Sequence, residues 1–189
     1  MVRIVIGSLA GGVAMFIVGF LFWATPLQYL GYSTANDAQN AAVQLSVAQN
    51  LPHTGRYVVP NPGSQVGANG YSKGPISIVD YNVRGFAPGD PASMIGGFIQ
   101  EVIVSLMIGL SLLAVAGRVT DFPSRARLAI GLSAAAVVMI VTSDPIWNHT
   151  DWRYAIYALI ADLAMLSASA FVIARWSLPR TAAAADTVH

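Results

Sequence analysis

Four long apolar runs, separated by polar stretches, organise this chain. Between Arg3 and Asp37 there is no charged residue at all. A helix needs about 20 apolar residues, rising about 1.5 Å each, to cross roughly 30 Å of hydrocarbon. Residues 4–25 supply that length. The run is longer than the apolar core of a signal peptide, about 7–15 residues, and no A-x-A-like site closes it. A first membrane helix is therefore expected over 4–25. The second run, 92–117, follows Asp90-Pro91. Proline fits a first helical turn and an acidic side chain favours the N-terminal dipole. Its only charge is Glu101. The third run, 128–143, is short for a full crossing, so its helix is expected to begin near Pro123, with Arg125 and Arg127 in the headgroup layer. The fourth, 152–176, has Trp152, Tyr154 and Tyr157 at one end and Trp176 at the other, the pattern of an aromatic belt.

Basic residues near span ends set orientation. Arg3, Arg118, Arg125, Arg127, Arg175 and Arg180 fall on one side of a four-span arrangement. That predicts cytoplasmic termini, a cytoplasmic loop at 118–127 and a cytoplasmic tail at 177–189, whose end, 181–189, is expected to be disordered. The loops 26–91 and 144–151 then face the periplasm or cell exterior.

A connector of about 65 residues is too long to be a plain loop. Within it, Ala38, Ala41, Ala42, Leu45 and Ala48 recur at helical spacing, which predicts an amphipathic helix over 34–50 capped by Ser33 or Thr34. Strand-like pieces follow near 55–60 and 76–83, rich in β-branched and aromatic residues. Residues 61–74 between them have the Gly, Pro, Asn and Ser content of a turn. The expected fold is an all-α integral membrane protein of four transmembrane helices, with a small α+β periplasmic cap of one helix and one β-hairpin. Such a hairpin is marginal alone in water.

Composition sharpens the class. Charged residues make up 10 % of the 189-residue chain, against about 25 % for a soluble domain. The net charge of +1 leaves no footprint for nucleic acid. The absence of cysteine removes disulfides, thiolate metal sites and a cysteine nucleophile. No phosphate loop, nucleophile elbow or zinc-protease motif occurs, and none of the three histidines lies within a span to hold haem. No metal and no cofactor beyond bound lipid are expected, and no catalytic residue is assigned.

A carboxylate inside a membrane segment costs about 2.5–3.5 kcal/mol on insertion scales and is by default a functional-site candidate. Glu101 and Asp162, with Gln100 beside them, are the candidates. Each carboxyl lies a similar number of residues from the outer end of its helix, so the two can meet at one depth if those helices are neighbours. The alternative makes them packing glue, bonded to Gln100, Ser105, Ser167 or another subunit. His149, Asp151, Trp152 and Arg153 concentrate in the short outer loop, which reads as a solvated, aromatic-anchored interface better than as a metal site. Gly7 and Gly11, Gly131 and Ala135, and Ala164 and Ala168 form small-x-x-x-small pairs suited to close helix packing.

The Gly-rich first span ending in Phe22-Trp23 and Pro26, then Gly55-x-Tyr57-x-x-Pro60 and Lys73-Gly74-Pro75, resembles small uncharacterised inner-membrane proteins of proteobacteria. The resemblance covers most of the first hundred residues. It implies a bacterial inner (cytoplasmic) membrane and no activity. The expected function is a non-catalytic accessory or assembly subunit of a larger membrane complex, partnered by other membrane subunits, copies of itself and lipid. The alternative is a small proton- or cation-coupled transporter or channel using Glu101 and Asp162. A lipid- or quinone-modifying enzyme with His149, Asp151 and Arg153 at the interface is a third, weaker expectation.

Overall fold

The computed structural model describes residues 2–178, so the tail expected at 181–189 lies outside the described residues. The chain divides into two compact units: a helical one, built from the segments before Thr34 and from Pro91 onward, and a small one, Thr34–Asp90.

The helical unit holds α1 (Val2–Trp23), a 3-10 turn at Pro26–Leu30, α4 (Pro91–Ala114), α5 (Phe122–Trp147) and α6 (Trp152–Trp176). All four α-helices are long and apolar enough to cross a membrane, which makes this a multi-pass membrane protein. The third helix starts at Phe122, beside the start expected near Pro123, and runs past the expected end at 143 to Trp147. Asp121 caps α5, accepting a hydrogen bond from the Ser124 N–H at 2.9 Å, and Pro123 fits the first turn. At the other end Pro145 lies inside the helix, where it removes one backbone hydrogen bond, and α5 stops two residues later. The loop expected at 144–151 therefore shrinks to 148–151. Arg125, in the first turn of α5, is 2 % exposed, and its Nε donates to the Val119 carbonyl at 2.8 Å.

Packing is centred on α1 and α6. α4 lies along α1 and α5 along α6, while α4 and α5 touch at few positions. Small residues set these distances. A carbon added at Gly12 would lie 2.7 Å from Val102 Cγ2 and 3.0 Å from Val102 Cα on α4. One added at Gly11 would collide with the Ser105 and Ser169 hydroxyls, and one at Gly7 with Ser177. Gly7 and Gly11 thus pack closely, as a small-residue face should. Ala164 and Ala168 are half-buried. Gly131 and Ala135 are exposed, and nothing lies within 4 Å of a carbon added at Gly131. The buried face of α5 is instead Ala126, Ala129 and Val137; at about 100° per residue, position 131 lies roughly opposite 129. Among the described residues the pair at 131 and 135 makes no close packing contact.

In the small unit, α2 (Asp37–Asn50) starts later than expected. Asn36, not Ser33 or Thr34, caps it: Asn36 Oδ1 accepts from the Gln39 N–H at 2.9 Å and Gln39 Oε1 accepts from the Asn36 N–H at 3.0 Å. No residue of α2 is buried. β1 (Gly55–Val59) and β2 (Ser77–Tyr81) pair antiparallel, Arg56 opposite Asp80 with an ion pair of 3.6 Å. The expected turn between them is a helix, α3 (Gln65–Lys73), capped by Ser64 and ended by Gly74 at φ 67°. Its glycines are close approaches. A carbon at Gly67 would strike the Asn61 carbonyl, and one at Gly70 would lie 3.2 Å from Pro60 Cγ.

Candidate functional site

Glu101 lies ten residues into α4, and Asp162 ten residues into α6. At the rise of an α-helix each is about 15 Å from its helix start. The structure brings them together: both line one cavity of about 420 Å³, walled by Met15 of α1, Val137 and Ile140 of α5, and Met165 and Leu166 of α6. Gln100 lines the same cavity and is exposed at its mouth.

The polar bonds available to Glu101 are few. Ser105, one helical turn away, is wholly buried and taken by Ser169, whose Oγ donates to Ser105 Oγ at 2.9 Å. Glu101 Oε2 is buried and has no hydrogen-bond partner among the described residues. Its other oxygen, Oε1, lies 3.4 Å from where a carbon on Gly19 would stand, so Gly19 makes room for the carboxyl. Ser105 accepts the Ser169 bond and keeps its own O–H, but Glu101 Oε2 draws no hydrogen bond from it among the described residues. A buried polar group without a partner calls for an explanation. Glu101 also borders a second cavity of about 220 Å³, toward Trp23 and Met94.

The candidates between α5 and α6 have structural duties instead. Asn148 ends α5, its Nδ2 donating to Asp144 Oδ1 at 2.9 Å, and His149 takes the left-handed conformation, φ 52°, that turns the chain out of the helix. Asp151 caps α6, accepting from the Arg153 N–H at 2.9 Å. Arg153 clamps the end of the 3-10 turn, donating from Nε to the Leu30 carbonyl at 2.6 Å and from Nη2 to the Tyr29 carbonyl at 2.8 Å. Trp152 is half-exposed. Three of the four candidates thus have local roles: His149 at a helix stop, Asp151 at a helix start and Arg153 as a clamp. Among the described residues no three His, Cys, Asp or Glu side chains gather around a metal position.

Two features were absent from the sequence reading. One is the joining of Trp23 and Tyr32 to Tyr154 and Tyr157, which the sequence placed only in an aromatic belt. Trp23 meets Tyr157 edge-on at 5.4 Å between centroids and Tyr32 stacks near Tyr154 at 5.4 Å, while the Tyr157 hydroxyl donates to the Phe22 carbonyl at 2.5 Å. The other is the serine junction of Ser8, Ser105 and Ser169, all at most 2 % exposed. Single serines inside apolar runs were the available signal. No family model matches the chain, and comparison with curated proteins and with solved structures gives no match.

Proposed function

We propose that this protein is a small proton- or cation-coupled membrane carrier whose working site is the cavity shared by Glu101 and Asp162. One observation supports the reading above all: two carboxyls from different helices line one cavity, and a buried oxygen of one, Glu101 Oε2, has no hydrogen-bond partner among the described residues. A carboxylate accepts a cation or a proton. Once protonated it both donates and accepts hydrogen bonds. A carboxyl kept at membrane depth without a protein partner is suited to that exchange. Basic-residue placement supports both termini cytoplasmic and the unit Thr34–Asp90 on the opposite side of the membrane, and the resemblance given above implies a bacterial inner membrane.

In proteoliposomes holding a pH-sensitive dye, the wild-type protein is expected to dissipate an imposed proton gradient when cation is added. Glu101→Gln keeps the shape but cannot carry the charge or exchange the proton, so it should lower the rate about tenfold or more, equivalent to about 1.4 kcal/mol. Unchanged rates in Glu101→Gln would remove the reading.

A second reading, an accessory or assembly subunit, is favoured by α2, which buries none of its residues. In that case Glu101→Gln leaves complex yield intact and Glu101→Leu lowers it, since an amide can bridge to a partner helix and an alkyl group cannot. Mild-detergent purification followed by mass spectrometry of copurifying proteins reads this out.

A further inference from the structure

We infer that the cavity takes a lipophilic organic monocation, drawn sideways from the membrane between α4 and α5 in exchange for a proton. The inference rests on the proposed function and names the class of its substrate.

Size is the first ground. At about 420 Å³ the cavity is far larger than a proton site needs. It falls in the range, about 300–1,000 Å³, of pockets that enclose small organic molecules. The lining is the second. Its ionisable groups are Glu101 and Asp162, joined by the Gln100 amide, and the walls are methyl, methylene and thioether groups. A calcium ion would need about six to eight oxygen ligands. An organic cation needs one carboxylate for its charge and apolar walls for the rest, and polarisable methionines such as Met15 and Met165 suit irregular ligands. No basic side chain lines the cavity, so the charge complementarity is for a cation.

Access is the third ground. α4 and α5 barely touch, and the lining residue Ile140, on α5, is 74 % exposed. The mouth lies along the apolar length of two membrane helices. A solute reaching it comes from the hydrocarbon, which selects for lipophilic ions.

Exchange follows from the inventory of groups. α1 presents Met15 and α5 presents Val137, Ile140 and Val141, none of which titrates. α4 supplies Gln100 and Glu101, and α6 supplies Asp162, with Tyr154 within electrostatic reach of it. A cation arriving at this pair displaces a proton from a carboxyl, so charge in the cavity is conserved and binding weakens as pH falls.

The test uses the full chain in lipid nanodiscs and the carboxyl reagent dicyclohexylcarbodiimide, with modification at Glu101 read by mass spectrometry. Tetraphenylphosphonium should protect Glu101. Sodium and potassium at the same concentration should not, nor should neutral triphenylphosphine oxide. Glu101→Gln, eluting as the wild type does, should bind tetraphenylphosphonium about tenfold more weakly or worse, a difference of about 1.4 kcal/mol. Equal protection by the inorganic cations, or by the neutral analogue, overturns the inference and leaves the carboxyl site standing. So does modification that no cation prevents. If Glu101 is not modified at all, the inference and the proposed function fall together.

Discussion

At Gly12 a hydrogen atom stands where any other residue would press a carbon into the α4 backbone, 3.0 Å from Val102 Cα. Neither helix can yield there without moving as a whole. Gly12→Val should cost about 1–3 kcal/mol as an overpacked contact, seen as a lower Tm in detergent, while Gly131→Val, which meets nothing within 4 Å, should leave Tm unchanged. Equal Tm values for the two variants would contradict the packing described. At Asp121 the Ser124 N–H donates to the carboxylate and holds its pKa below the ordinary value of 3.8. A lowered native pKa means the cap is fully present above the unfolded value and is lost as pH falls through the native one. The Ser124 amide resonance should therefore titrate with a midpoint below 3.8, and Asp121→Asn should abolish that titration; a midpoint at or above the ordinary value would contradict the cap. Glu101 and Asp162 stand out in sequence because charge is rare in apolar runs. That they share a cavity depends on helix neighbours, which sequence spacing does not fix.

The elements differ in what holds them. α1 and α6 bury Ile4, Met15, Ala161, Ala170 and Ile173, each at most 3 % exposed. α2 has a capping box and no buried residue. Propensity and caps alone leave a helix of this length marginal in water. Amide hydrogen exchange on the isolated protein should show 37–50 exchanging orders of magnitude faster than the centres of α1 and α6. Comparable slow exchange would mean that α2 is covered. Apolar runs announced the four long helices because a membrane span is set by length and composition. One misread piece has glycines with two meanings. Residues 61–74 have turn composition, yet Gly67 and Gly70 are glycine because α3 presses on Asn61 and Pro60. In the stretch 144–153, read as an aromatic-anchored interface, the cap at Asp151 and the Arg153 clamp were not legible, because caps and clamps use the same polar atoms as ligand sites do.

For the molecule as a whole, orientation follows from charge. With Arg118 between α4 and α5 and Arg125 and Arg127 in the first turns of α5, reporter fusions at Ser64 and Ser124 should report opposite compartments, Ser64 outside; matching reports would contradict the four-span arrangement. The central claim is that Glu101 and Asp162 act as one site, because they line one cavity. A double-mutant cycle tests it most directly, since residues acting as a unit are strongly non-additive. The measurement is cation-driven dissipation of a proton gradient in proteoliposomes for the wild type, Glu101→Gln, Asp162→Asn and the double variant. One shared site predicts that each single change lowers the rate about tenfold or more and that the double variant is no slower than the slower single. Losses that multiply in the double variant, or a single variant as fast as the wild type, would contradict it.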